Sequence, residues 1–364
     1  MNFVDFETRF WKLIKEANID DHINPINLNE EKNTFISKYN KEIRYNPTFE
    51  YKSINFESLL NKISTLNNEL NKYHSPYLKY YSELLNNYKI FVENFNIRDN
   101  NFIHWLSSKY GKPNNQLFSY SQKYLDNINQ SIINQDNYIG FDEAKKYMQS
   151  SLVESGFRNW EISKETMSAK IKVNPHNQMI SFNSDSVFSL RELQRLVHHE
   201  IETHVLRFEN GSKQNSNIFK YGFPDYLETE EGLAVLAEEK NNMLDEDVLA
   251  KYCVRVTTSY LAYDFDFFDL VKYANQYFDL ENSFSIVARI KRGLKDTSAK
   301  GGFTKDQIYL KGFKKLQKLD NISISKLYIG KIGYKNIDEI KEFDINYDIK
   351  LPLWLEKTIT SNYC

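Results

Sequence analysis

His199, Glu200 and His204 lie together in the run HEIETH. Imidazole nitrogens are common zinc ligands, and a glutamate beside the first of two can take a proton from metal-activated water. That is the chemistry of zinc hydrolases written HExxH, where the histidines stand four apart on one helix face. Here they stand five apart. On a regular helix of about 100° per residue this separates them by roughly 140°, too far to meet at one tetrahedral ion. One extra residue in the turn, a π-bulge, brings i and i+5 back into line, and such bulges favour functional sites. Metal binding therefore predicts a widened turn between His199 and His204. The competing readings are a solvated polar face or histidines satisfied within a core.

A carboxylate from a second helix would complete a His/His/Glu set with an open fourth position, the usual plan of a catalytic zinc site. Glu230 and Glu231 offer one, in the stretch YLETEEGLAVLAEEK from Tyr226 to Lys240. The alternative is an acidic first turn favoured by the helix dipole. Thr229 reads as this helix's N-cap, with Leu233, Val235, Leu236 and Ala237 buried, and the Gly-Leu-Ala run is small enough for close helix packing.

The elements that must hold these residues are legible nearby. Leu193, Leu196, Val197, Ile201, Val205, Leu206 and Phe208 recur at helical spacing, so a helix spans Leu190 to Asn210. Ser189 with Glu192 reads as its capping box and Asn210-Gly211 as its stop. Before it, Asp142 caps a helix ending at Gly156, and Trp160 to Ser163 is a short strand. Met167 to Val173 and Gln178 to Asn183 form a hairpin turned by Asn174 to Asn177. His176 is read as a turn residue, His198 as a neighbour of the ligands or a surface residue, and Glu202 as solvated. Strands immediately before a zinc-binding helix match the zincin plan, in which an edge strand pairs with extended substrate. The first part of the chain is a series of amphipathic helices, in which His22, His74 and His104 are isolated and read as packing or surface residues. The fold class is α+β, mostly α: a helical N-terminal region over 1–135 packed on a zincin-like core over 136–364.

Composition excludes several classes. A net charge of −2 and a pI near 6.4 give no reason to expect nucleic acid binding. Mean hydropathy of −0.60, with no apolar run approaching the ~18 residues of a span, argues against a membrane segment. The acidic and aromatic N-terminus reads as an amphipathic helix and not a signal peptide. Two distant cysteines, Cys253 and Cys364, make no disulfide framework and point to a cytoplasmic setting. Nothing in the sequence specifies an oligomeric state.

HEIETH followed by EEGLAVLAEE resembles the HExxxH and QEGLA signatures of the tyrosine carboxypeptidase-like metallopeptidases, which include eukaryotic enzymes that remove the C-terminal tyrosine of α-tubulin. A third matching run extends from Arg289 to Ser298 and from Gly302 to Gly312, with weaker likeness from Asn46–Tyr51 to Gly330–Ile332. Glu230 stands where the family has Gln, leaving Glu231 as the matching ligand.

The resemblance implies Zn²⁺ held by His199, His204 and Glu231, with Glu200 as general base and acid. The substrate it implies is a peptide or protein C-terminus, with an aromatic terminal residue preferred. Such a substrate needs a cation for its carboxylate. Arg289 and Arg292 in the third run are the candidates, with Lys305 behind them, and Tyr309 is a candidate donor to the oxyanion. Arg289, Lys291 and Arg292 at a helix end can also be read as answering its dipole. The alternatives in function are another zinc hydrolase, an endopeptidase or amidase, or a metal-stabilised regulatory module without turnover.

Overall fold

The computed structural model describes residues 2–17, 22–52, 56–95, 100–128, 138–165, 167, 170–184 and 186–361. Helices dominate, in the order α1 (Phe3–Ala17), α2 (Leu28–Tyr39), α3 (Glu57–Glu69), α4 (Leu78–Phe95), α5 (Asn100–Tyr110) and α6 (Asn115–Asp126). Then β1 (Tyr138–Ile139), α7 (Phe141–Glu154), β2 (Glu161–Glu165), β3 (Ile171–Asn174), β4 (Met179–Asn183) and β5 (Phe188–Ser189) lead into the long helix α8. That helix runs as an α-helical Leu190–Leu196, a π-helical Val197–Val205 and an α-helical Leu206–Ser212. After it come α9 (Ile218–Tyr221), α10 (Leu227–Lys240), α11 (Glu246–Leu261), α12 (Phe267–Ala274), α13 (Leu280–Lys291), α14 (Ile308–Leu316), α15 (Asn321–Leu327) and α16 (Leu353–Ser361). The expected regional boundary at 135 falls outside the described residues.

The small sheet has the order β2-β4-β3. The expected hairpin is β3 against β4, antiparallel with Val173 opposite Ile180, while β2 runs parallel to β4. Its inward residues Ile162, Ile180 and Phe182 join Leu193, Ile201, Val205 and Phe208 of α8 in one buried apolar cluster, so the sheet braces the helix that carries both histidines.

The N-terminal helices contribute to the main core. Trp11 of α1 lies 4.8 Å from Tyr221, ring to ring, and Tyr80 of α4 lies 4.8 Å from Phe223. Glu7 of α1 is buried and accepts hydrogen bonds from Tyr81 and Ser216. A separate cluster joins Phe35 and Phe49 to Phe267 and Phe284, beneath the third motif run. Here Phe49 N–H donates to Lys295 (2.9 Å) and Thr297 Oγ1 to Pro47 (2.6 Å), so the segment around Asn46–Tyr51 is stitched to the run that begins at Arg289.

Three local expectations need correction. Thr229 does not cap α10: the helix begins at Leu227, and the buried Thr229 Oγ1 instead accepts from Tyr334 N–H at 2.8 Å. Asp142 lies inside the first turn of α7, whose N-cap is Gly140. Asn210-Gly211 does not stop α8. Asn210 reaches across to the carbonyls of Tyr328 and Lys350 (2.8 and 2.7 Å), and Gly211 lies so close to α9 that a Cβ there would meet the Phe219 carbonyl. Both residues serve packing. Ser189 does cap α8, accepting from Glu192 N–H at 3.1 Å.

Candidate metal centre

The widened turn lies where the histidine spacing demands it: Val197–Val205 is π-helical and contains both His199 and His204. Their rings stand 5.2 Å apart at 74°. α10 crosses this turn and is buried on every side from Thr229 to Glu238. Its close approach to α14 is set by paired glycines, because a Cβ on Gly232 would lie 2.5 Å from the Gly312 backbone carbon. The crossing delivers Glu231. Its Oε2 lies 3.7 Å from His199 Nε2 and 3.6 Å from His204 Nε2, and it is buried without a hydrogen-bond partner. One ligand atom from each of the three residues lies within 4.8 Å of the others, as a single cation requires.

Each imidazole is fixed from behind. His199 Nδ1 meets Glu238 at 2.7 Å, and Glu238 is fully buried, also held by Arg195 at 2.6 Å and Tyr252 at 3.2 Å. His204 Nδ1 meets Glu230 at 2.9 Å, and Glu230 is paired with Arg207 and, at 3.0 Å, with Lys331. A Nδ1–H donated to a carboxylate leaves the Nε2 lone pair toward Glu231 and raises its basicity, the usual outer arrangement of a metal site. Glu230 thus holds the His204 ring from behind.

The charges follow from this packing. Burial opposes ionisation of Glu231, but His199, His204 and Lys305 outweigh it and hold the carboxyl below its ordinary range. Glu230 is also held low, burial being overcome by Lys331, Arg207 and His204. Burial disfavours a charged His199, yet Glu231 and Glu238 raise it to about 10. A proton and a metal cation thus compete for the same imidazole.

Glu200 is buried, with Oε2 3.9 Å from His204 Nε2, beside the ligand cluster and outside it. Tyr309 lies nearly parallel to His199 at 6.1 Å and to Tyr252 at 5.5 Å. Burial and the nearby Glu231 charge push its hydroxyl well above the ordinary tyrosine range, so it stays protonated near neutrality. The three cationic candidates diverge. Arg289 gives its Nε and Nη2 edge to Asp306 through two bonds of 2.5 and 2.9 Å. Arg292 is buried against the Phe303 ring. Lys305, half-buried, acts on Glu231 by charge. His198 and Glu202 pair with each other at 2.7 Å, so Glu202 is not simply solvated. His176 stacks on Tyr221 at 4.4 Å, a turn residue with a packing role.

A model of the family described as microtubule-associated tyrosine carboxypeptidase matches residues 34–362, nearly the whole chain. This chain belongs to that family. Among curated proteins, microtubule-associated tyrosine carboxypeptidase 1 of Mus musculus is 30% identical over 173 residues, 45% of this chain and 36% of the relative. The Homo sapiens protein of the same name is 29% identical over 175 residues, with the same shares covered. The chain thus matches little more than a third of the length of these relatives.

Glu238, Arg195, Arg207 and Lys331 lie behind the two imidazoles, and the motif did not mark them. A signal existed for Glu238: seven residues beyond Glu231, it returns to the same face of α10 two turns on. Arg207 and Lys331 carried none, since only the tertiary fold brings them to Glu230.

Proposed function

We propose that this chain is a zinc-dependent carboxypeptidase with a zincin-like core, releasing a C-terminal residue from a peptide or protein. The observation that carries this reading is the buried, unpartnered Glu231 Oε2 facing two imidazole Nε2 atoms. A buried carboxylate oxygen without a donor costs roughly 1–3 kcal/mol or more, and a cation removes that cost. Two nitrogens and one carboxylate oxygen are a donor set that suits zinc. When bound, zinc would lower the pKa of a water toward about 7 and polarise the scissile carbonyl.

The chain's own residues supply the remaining roles. Glu200 accepts the proton of the attacking water on its carboxylate and returns it to the leaving amine. Tyr309 keeps its hydroxyl proton and donates a hydrogen bond to the developing oxyanion. The sheet braced on α8 supports the zincin-like reading, in which an edge strand pairs with an extended substrate. The relatives' names, tyrosine carboxypeptidase and microtubule-associated, support an aromatic terminal residue and a cytoplasmic protein substrate. Among the described residues no helix is long and apolar enough to cross a membrane.

The test is direct. Zinc-loaded protein is incubated with peptides ending in Tyr, Phe, Ala or a C-terminal amide and read by mass spectrometry. Loss of a single terminal residue from the free acids, fastest for Tyr or Phe, is the expected result. Internal cleavage would point to an endopeptidase, and intact peptides to a site without turnover.

A further inference from the structure

The third motif run does not supply the strongest candidate for gripping a substrate carboxylate. Arg289 gives its Nε and Nη2 edge to Asp306, whose carboxyl is buried and held low by this partner and by its other arginine neighbours. Arg255, on α11, stands differently. Its guanidinium lies over the rings of Tyr309 (5.3 Å) and Tyr252 (5.5 Å), and Tyr309 in turn lies parallel to His199. It is therefore one aromatic ring away from a residue of the metal cluster. Among the described residues its ion pair is a distant 3.9 Å from Nε to Asp306, and Nε is buried without a hydrogen-bond partner. The side chain retains 25% exposure although its Nε is desolvated, so the guanidinium is not sealed from solvent.

An arginine fixed by stacking, close to a buried site and only loosely paired, is suited to receive an anion. Three arginines share one carboxylate. Arg255, Arg289 and Arg292 all act on Asp306, and Lys305 acts on Glu231. A peptide whose scissile carbonyl sits at the His199–His204–Glu231 cluster carries its terminal carboxylate one residue further on, a short reach from that cluster. We propose that Arg255 receives the terminal carboxylate of the substrate and so selects free C-termini over internal or amidated sequences. The assignment rests on the carboxypeptidase reading above and names the residue that would make the site an exopeptidase. Arg289 then acts as a positioning residue, neutralising Asp306 so that Arg255 stays available.

Binding, separated from turnover, tests this. Zinc-loaded Glu200→Gln protein is titrated with a fluorescent peptide ending in Tyr, as the free acid and as the amide. The same is done with Arg255→Gln and Arg255→Lys added. The acid is expected to bind roughly tenfold or more tightly than the amide, as one charge-assisted hydrogen-bond pair warrants. Arg255→Gln should remove that preference by weakening the acid alone, and Arg255→Lys should keep part of it, with zinc content and melting temperature unchanged in both. Equal weakening of acid and amide would mean a merely structural role and overturn the proposal. Persistence of the acid preference in Arg255→Gln, or no preference in the parent, would also overturn it. Peptide release by protein with Glu200 intact is scored separately. Loss of acid selectivity in a protein that turns over nothing would sink the peptidase and leave Arg255 as the carboxylate receptor, whereas turnover with selectivity untouched by Arg255→Gln would do the reverse.

Discussion

His199 and His204, five residues apart, turn their Nε2 atoms to the same oxygen of Glu231, at 3.7 and 3.6 Å. A regular helix forbids this, and the π-helical stretch Val197–Val205 permits it. The site is thus built from one local backbone irregularity and one helix crossing.

Glu200 stands next to the cluster but outside the ligand set. Glu200→Gln should therefore retain zinc at the parental level while turnover falls by about 10²–10⁴-fold, the usual contribution of a general base. Metal analysis alongside initial rates on a Tyr-terminated peptide checks both halves.

The carboxylates behind the imidazoles fix their orientation. Glu238→Gln weakens the hold on His199 and leaves Arg195 without its buried partner. Zinc affinity, read by competition with a chromophoric chelator, should fall about 10–100-fold. Unchanged affinity would mean that His199 is positioned by the helix alone.

The glycine contact between α10 and α14 sets where Glu231 arrives. Gly232→Val would drive side-chain atoms into the backbone of Gly312, so α10 must shift. The expected cost is about 1–3 kcal/mol or more of stability, as for other overpacked sites, together with a loss of zinc affinity. Thermal melts and the same chelator competition measure the two effects.

At the tip of the β3–β4 hairpin, His176 stacks on Tyr221, and burial first, then Lys15, Lys220 and Lys331, lower its pKa from 6.5 to about 4. Between these values the unfolded chain holds a proton that the folded chain does not. This contribution to stability is therefore complete above about 6.5 and is lost as pH falls toward 4. His176→Asn should flatten that part of the melting temperature's pH profile. A slope identical to that of the parent between these values would refute the account.

How much of this was legible depended on whether the signal was local. The five-residue histidine spacing required a widened turn, and the hairpin before α8 followed from alternation and its Asn174–Asn177 turn. Glu231 followed from motif resemblance, since Glu230 and Glu231 are equivalent by composition. Their different tasks, one facing the cluster and the other orienting His204 from behind, are fixed by how α10 rotates as it crosses α8. Helix ends were less legible. Thr229 has the chemistry of a cap, but a buried backbone N–H at Tyr334 claims its hydroxyl, and Asn210-Gly211 is used for close packing inside a continuing helix. Arg289 matched a motif and a chemical need, but Asp306 is what it binds. That pairing across a loop leaves no periodic trace, and neither does the stacking of Arg255 on Tyr309.

The central claim is tested most directly by elemental analysis of purified protein after zinc loading and removal of free metal, for the parent and for Glu231→Ala. The account predicts stoichiometric zinc on the parent and none retained by the variant, with the variant still folded by circular dichroism. A parent that holds no divalent metal, or a Glu231→Ala protein that keeps its full complement, would contradict it.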